Sequence, residues 1–251
     1  MNLSLYHDET SLSRNTQEKA KIASAFGRAA SRYDSLASYQ QNSGKQLLSL
    51  LESHGVIETP MFSQQVLDAG CGTGFFSQII KQTGAHVTAL DLSAGMLDVA
   101  RNKQSAHCYV CGDMDTLPFE DASFDWVFSN LAIQWCDDLS HALGELYRVT
   151  KPGGIIGFTT LAEHSLGELS AAWKALDDSP HVNRFLPYSN IVKSCQGWRS
   201  QLYQQADTLY FSNLIELLNS VKGIGATHLT AGRQAGLMTR QRLQQLSSVY
   251  P

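Results

Sequence analysis

Between about Gln64 and Leu161 the chain alternates short apolar runs with helical patterns, and this constrains the fold more than any other feature. QVLDAG, HVTALDLS, HCYVCGD, FDWVFSNLA and GIIGFTTL read as strands. FFSQIIKQTG, AGMLDVARNK and DDLSHALGELYRV read as the helices between them. Strands that alternate with helices imply crossover connections, hence an α/β fold with a mostly parallel sheet and helices on both faces. TKPGG is expected to end the last of these helices ahead of the fifth strand. Residues 15–53 read as helical, with apolar residues three and four apart. Beyond the fifth strand, SLGELSAAWKALDD predicts a helix, and a proline-bearing stretch after it reads as an insertion. A strand, ADTLYFS, and a helix, NLIELLNSVKG, are expected next.

Composition excludes several classes. The 251 residues are 43% hydrophobic, which fits a soluble globular chain. No apolar run reaches the roughly 18–20 residues that span a bilayer. The N-terminus lacks the pattern of a signal peptide, so a cytoplasmic location is expected. Five cysteines, an odd number, argue against a disulfide framework. Cys108 and Cys111 have C-x-x-C spacing, but on a strand such positions face opposite ways, so an ordinary buried strand and no metal are expected. Charge is uneven: residues 181–251 carry seven Lys/Arg against two acids, leaving −9 for residues 1–180. A basic tail third suggests an anionic partner. Nucleic acid is not expected, because the excess is small and lacks interleaved aromatic residues.

The first strand runs into VLDAGCGTG, with Asp68 ahead of Gly70, Gly72 and Gly74. In dinucleotide folds such a turn lets the backbone approach a pyrophosphate. A carboxylate there repels a phosphate, and the G-x-G-x-G spacing also differs from that fingerprint. It suits a ligand with a positive centre, such as S-adenosylmethionine, with Asp68 facing its ammonium and the glycines making room. Asp91 ends the second strand, where a carboxylate can accept both ribose hydroxyls; Leu92 and Met96 follow it. Asp113 follows the third strand, placed to accept an adenine amino hydrogen while Met114 packs on the ring. Asn130, Gln134 and Trp135 follow the fourth strand, whose end faces the transferred group.

In this order and register, these features resemble the class I S-adenosylmethionine-dependent methyltransferases over about residues 60–162. The flanking AFGRAASRYD, SNLAIQWC, ELYRVTKPGG, HVNRFLP and KGIGATH resemble the malonyl-acyl-carrier-protein O-methyltransferases of biotin synthesis, from about Ile22 to Arg242. The resemblance implies a Rossmann-like sheet divided as 1–60, an N-terminal helical lid; 61–162, the S-adenosylmethionine-binding core; 163–206, a substrate-side helical insertion; and 207–251, the C-terminal part of the core sheet. It also implies a final antiparallel strand, for which no residues follow LQQLSSVYP. The implied acceptor is a malonyl carboxylate on acyl carrier protein, with no metal and no membrane partner. Tyr33 resembles an N-terminal tyrosine that reaches the methyl-donor pocket. Arg184 is the first choice to hold the malonyl carboxylate, ahead of Arg28 and Arg148, since arginine forks pair with carboxylates. Gln134 and Trp135 are expected on the acceptor side, with a core residue the alternative for Trp135. His181 and His228 are read as structural or positioning residues, because a carboxylate nucleophile needs no base. A same-fold methyltransferase of another small molecule and a non-catalytic S-adenosylmethionine-binding protein remain alternatives.

Overall fold

The computed structural model describes residues 9–55, 57, 60–224 and 239–250, with side chains from residue 16 onward. Its centre is a five-stranded sheet built from β1 (Gln65–Ala69), β2 (His86–Asp91), β3 (Cys108–Cys111), β4 (Phe124–Asn130) and β5 (Thr150–Thr159). The order is β3-β2-β1-β4-β5 and every pairing is parallel. The order reverses between β1 and β4, so the carboxyl ends of those strands open a crevice of the kind that binds ligands.

Three helices lead into the sheet: α1 (Glu9–Ala29), α2 (Tyr33–Leu36) and α3 (Ser38–Ser53). The crossovers are α4 (Phe75–Gln82), α5 (Ala94–Asn102) and α6 (Leu139–Val149). After β5 come α7 (Gly167–Lys174), α8 (Tyr188–Ser194), α9 (Leu214–Gly223) and α10 (Arg240–Val249). Asp138 starts α6 by accepting the amide of His141 at 2.7 Å, which satisfies a helix-end donor.

Both faces of the central strands are covered, which explains why β1 and β4 read as continuous apolar runs. Leu67 and Val127 point into one layer with Leu143 and Leu146 of α6. Val66, Trp126 and Phe128 point into the other, against Phe76 and Ile80 of α4 and the leucines of α3. The indole N–H of Trp126 is buried there with no partner among the described residues. A third cluster joins Leu169 and Trp173 of α7 to Leu217 of α9 and Leu246 of α10.

Three expectations need correction. Cys108 and Cys111 are exposed, because β3 is an edge strand covered less than its neighbours. TKPGG does not precede β5 but begins it: Thr150 pairs with Phe124, and a register shift separates that pair from Trp126–Ile155. Pro152 brings no N–H to a ladder and Gly153 has φ +80, so the irregularity sits where pairing is weakest. The 206–212 segment forms no strand; Leu209 and Tyr210 are exposed and an open cleft separates the segment from β5. Among the described residues no strand follows β5. No helix among them is long and apolar enough to cross a membrane.

Candidate active site

The turn after β1 is shaped by three glycines in the left-handed region, with φ of +80, +55 and +78 at Gly70, Gly72 and Gly74. They are not equivalent. A Cβ on Gly70 would lie 2.2 Å from that of Ala132, and one on Gly74 would lie 2.0 Å from the Ser105 hydroxyl. Those two permit packing within the protein. Only Gly72 faces open space, with nothing within 4 Å. The expectation that all three make room for a ligand therefore narrows to Gly72.

Asp68 is buried beside this turn and accepts the Ser77 hydroxyl at 2.5 Å, from the first turn of α4. Burial pushes its carboxyl up to about 7; the Ser77 hydroxyl opposes the rise and the Asp91 charge adds to it. One Asp91 oxygen accepts the Gly72 amide and the other the Ser93 amide, each at 2.8 Å. Burial pushes Asp91 up to about 6 against those two donors. Each oxygen still has a lone pair for a further donor. Two desolvated carboxylates, close enough for the Asp91 charge to raise the Asp68 pKa and with Asp91 on the Gly72 amide beside open space, favour a cation or a diol over an anion.

Leu92 is half-buried and Met96 buried in the first turn of α5. Asp113 accepts the Asp115 amide at 3.0 Å and the Lys19 ammonium at 2.5 Å. Met114 packs into the core next to Gly70 and the Ser129 hydroxyl, so its ring-facing role is limited to a buried backing. Asn130 donates to the Gln40 carbonyl at 2.9 Å and accepts from Thr159 at 2.8 Å. Both ends of its amide thus help tie β4 to α3 and β5, leaving one N–H and one lone pair of the side chain.

The N-terminal helices close over these groups. Asp34 accepts the hydroxyl of Thr73 and the ammonium of Lys103, bolting α2 onto the glycine turn. That places Tyr33 within charge range of Asp91; burial first, then Asp91 and Asp34, hold its phenol protonated well above the usual tyrosine range. Lys19 of α1 bridges Asp113, Asp115 and Asp137. The sequence reading missed Lys19 and Asp34, because partners 94 and 39 positions away leave no local pattern.

A cleft of about 3100 Å³ opens along β5, α3 and the 199–215 segment. Asp68, Asp91 and Asp113 do not border it, whereas Tyr33, Gln134 and Trp135 do. Leu131 holds φ +48 at the end of β4, a costly conformation for a leucine, and the chain then turns into Ile133–Trp135. Trp135 meets Phe26 of α1 edge-to-face at 5.4 Å. Gln134 donates to the Leu131 carbonyl at 2.8 Å, and its own side-chain carbonyl is buried with no partner among the described residues.

Arg184 is exposed and does not line the cleft, so the structure does not bring it to the site; Phe185 turns inward in its place. Arg28 is exposed and bonds Ser24. Arg148 is saturated by Glu145, Asp121 and the carbonyls of Leu117 and Phe119. His181 stacks on Trp173 at 3.9 Å and bonds Asp177, which also pairs with Arg242. His228 and the end of KGIGATH lie outside the described residues.

Residues 67–158 match a methyltransferase-domain family. A malonyl-acyl-carrier-protein O-methyltransferase of Serratia marcescens is 49% identical over 94% of this chain and 90% of its own length. The chain belongs to that family. The Pectobacterium atrosepticum member is 52% identical over 93% of this chain and 89% of its own. Among solved structures, a chain of the Haloferax volcanii Trm112 methyltransferase activator complex aligns with TM-score 0.52 and 24% identity, covering 67% of this chain and 73% of its own. That likeness concerns the fold alone. The family and the parallel sheet make this chain a class I methyltransferase with a Rossmann-like core.

Proposed function

We propose that this enzyme methylates the free carboxylate of a malonyl group carried on acyl carrier protein, using S-adenosylmethionine, at an early step of biotin synthesis. The substrate class rests on the family's printed name. The observation that carries the site reading is Tyr33, which lies within charge range of Asp91 and also borders the β5 cleft. It marks the junction of a carboxylate-lined cofactor groove and an acceptor cleft.

The residues present fit S-adenosylmethionine: open space at Gly72 lies beside Asp91, and burial holds the carboxyls of both Asp91 and Asp68 above the ordinary range, so a cationic or hydroxyl-bearing ligand would favour them. When bound, it supplies a methyl group activated on a sulfonium. Asp68 would hold the ammonium and Asp91 the ribose hydroxyls. Asp113 would take the adenine amino group, with Leu92, Met96 and Met114 forming the apolar backing. Gly70 and Gly74 let the turn seat against Ala132 and Ser105. Tyr33, Gln134 and Trp135 would orient the acceptor.

No general base is required, because a malonyl carboxylate with a pKa near ~4 is already ionised at neutral pH. The protein's task is alignment and exclusion of water. Closure of α1 and α2 by Lys19 and Asp34 serves both. Arg184, Lys193, Arg199 and Lys222 are exposed in the basic tail third and suit the acidic surface of a carrier protein.

The test is transfer of labelled methyl to malonyl-acyl carrier protein, with malonyl-coenzyme A and free malonate alongside. Carrier-preferring transfer supports the reading. Equal or better transfer to free malonate overturns the carrier assignment, and cofactor binding without transfer to any of the three overturns the acceptor class.

A further inference from the structure

The Lys19 cluster is more ordered than anchoring a helix requires. A lysine ammonium has three N–H donors and no acceptor. Here it meets three carboxylates, at 2.5 Å to Asp113, at contact distance to Asp115 and at 3.3 Å to Asp137. The three come from two places: Asp113 and Asp115 follow β3, and Asp137 follows the turn that carries Gln134 and Trp135. One cation from α1 therefore joins the adenine end of the groove to the acceptor-facing turn.

The carboxylates differ in what remains of them. Asp115 has an 8% exposed side chain, with one oxygen on Lys19 and the Asp137 amide, and the Cys136 thiol lies against the same carboxyl. Its charge is compensated only through Lys19 among the described residues. Asp113 is 29% exposed and stays reachable. Its Oδ1 is held by the Asp115 amide and its Oδ2 by Lys19, so both oxygens are pinned and the carboxylate plane is set. One lone pair per oxygen is left for an outside donor. Remove the ammonium, and Asp113 keeps a single tether beside an unpaired Asp115. Like charges then drive the two carboxylates apart.

We infer that Lys19 is a positioning residue for cofactor recognition, holding the Asp113 carboxylate in the orientation that accepts the adenine 6-amino group. The inference deepens the proposed function and rests on its reading of Asp113. Lys19 itself need not touch the cofactor. Its effect is specific to the amino group, whereas a helix anchor acts on every ligand under the lid alike.

That difference is the test. Equilibrium binding is measured for S-adenosylhomocysteine and for its purine analogue, which lacks the 6-amino group, on the full-length wild type, Lys19→Met and Lys19→Arg. The wild type is expected to prefer the adenine ligand. Lys19→Met lowers that preference roughly tenfold to a hundredfold, the range for a charge-assisted hydrogen bond, over and above any weakening common to both ligands from loosening α1. Lys19→Arg restores the preference, since it returns a cation to the three acids. In an Asp113→Ala background, Lys19→Met produces no further change in preference. Equal weakening of both ligands with the preference intact overturns the inference, leaving Lys19 as an anchor for α1. A wild type that binds both ligands equally overturns the reading of Asp113 itself, and the inference with it.

Discussion

The groove at the glycine turn and the cleft along β5 meet at Tyr33, and they are built differently. In the groove the carboxylate oxygens of Asp91 and Asp113 each take a donor from the protein, and Asp68 is buried against Ser77. The cleft wall is loose by comparison: Tyr203 is 58% exposed and Tyr210 is 91% exposed. A small charged ligand needs its partners fixed to within fractions of an ångström, and an interior bonded on all sides supplies that. A flexible arm presented by a macromolecule needs access, which a half-exposed surface supplies.

The largest expected break falls on the groove. Asp68→Asn should weaken S-adenosylmethionine by about a hundredfold or more, since it removes a charge-assisted bond to the ammonium. Stability at pH 8 should not fall, because a buried carboxyl pushed up to about 7 is a burden once ionised. Equilibrium binding and thermal melts on one preparation check both halves. Cofactor binding that survives the change would place the ammonium elsewhere.

Glycine substitutions separate packing from ligand space. Gly70→Ala should destabilise the fold by about 2–4 kcal/mol, combining a left-handed backbone with overpacking against Ala132. Gly72→Ala should cost only about 1 kcal/mol of stability yet impair cofactor binding, since its Cβ enters the open space. Denaturant melts and binding isotherms should rank the two variants in opposite orders.

The pH dependence has a fixed sign. Asp68 and Asp91 have folded pKa values of about 7 and about 6, above the ordinary carboxylate value. The unfolded chain gives up these protons first, so stability of the ligand-free protein falls as pH rises from about 4 to about 7. A cationic ligand favours the ionised forms and expels a proton. Its affinity should rise with pH by up to about tenfold per unit for each proton released, and level off above about pH 7.5. Titration calorimetry in buffers of different ionisation enthalpy would count the protons; none released would contradict the role of Asp68.

The smallest effect belongs to the cleft side. Arg184→Ala should leave turnover and malonyl KM at high salt within about twofold, as expected of an exposed side chain that does not line the cleft. Steady-state kinetics at low and high salt would expose any contribution to carrier docking, which screening should weaken.

The sequence by itself determined the five strands, their crossovers and the carboxylates at the strand ends. Each of these is a local signal: a period of two or 3.6, a glycine forced by positive φ, an acid at a fixed offset from a turn. Asp68, Asp91 and Asp113 were legible for that reason. Tertiary structure alone decided which of those groups remain available. Asn130 bridges Gln40 and Thr159, Gly70 and Gly74 face Ala132 and Ser105, and Arg184 faces solvent. It also decided the ion pairs that fasten the N-terminal helices, Lys19 to Asp113 and Asp34 to Lys103. Such pairs depend on where two distant segments meet in space, and no spacing along the chain encodes that meeting.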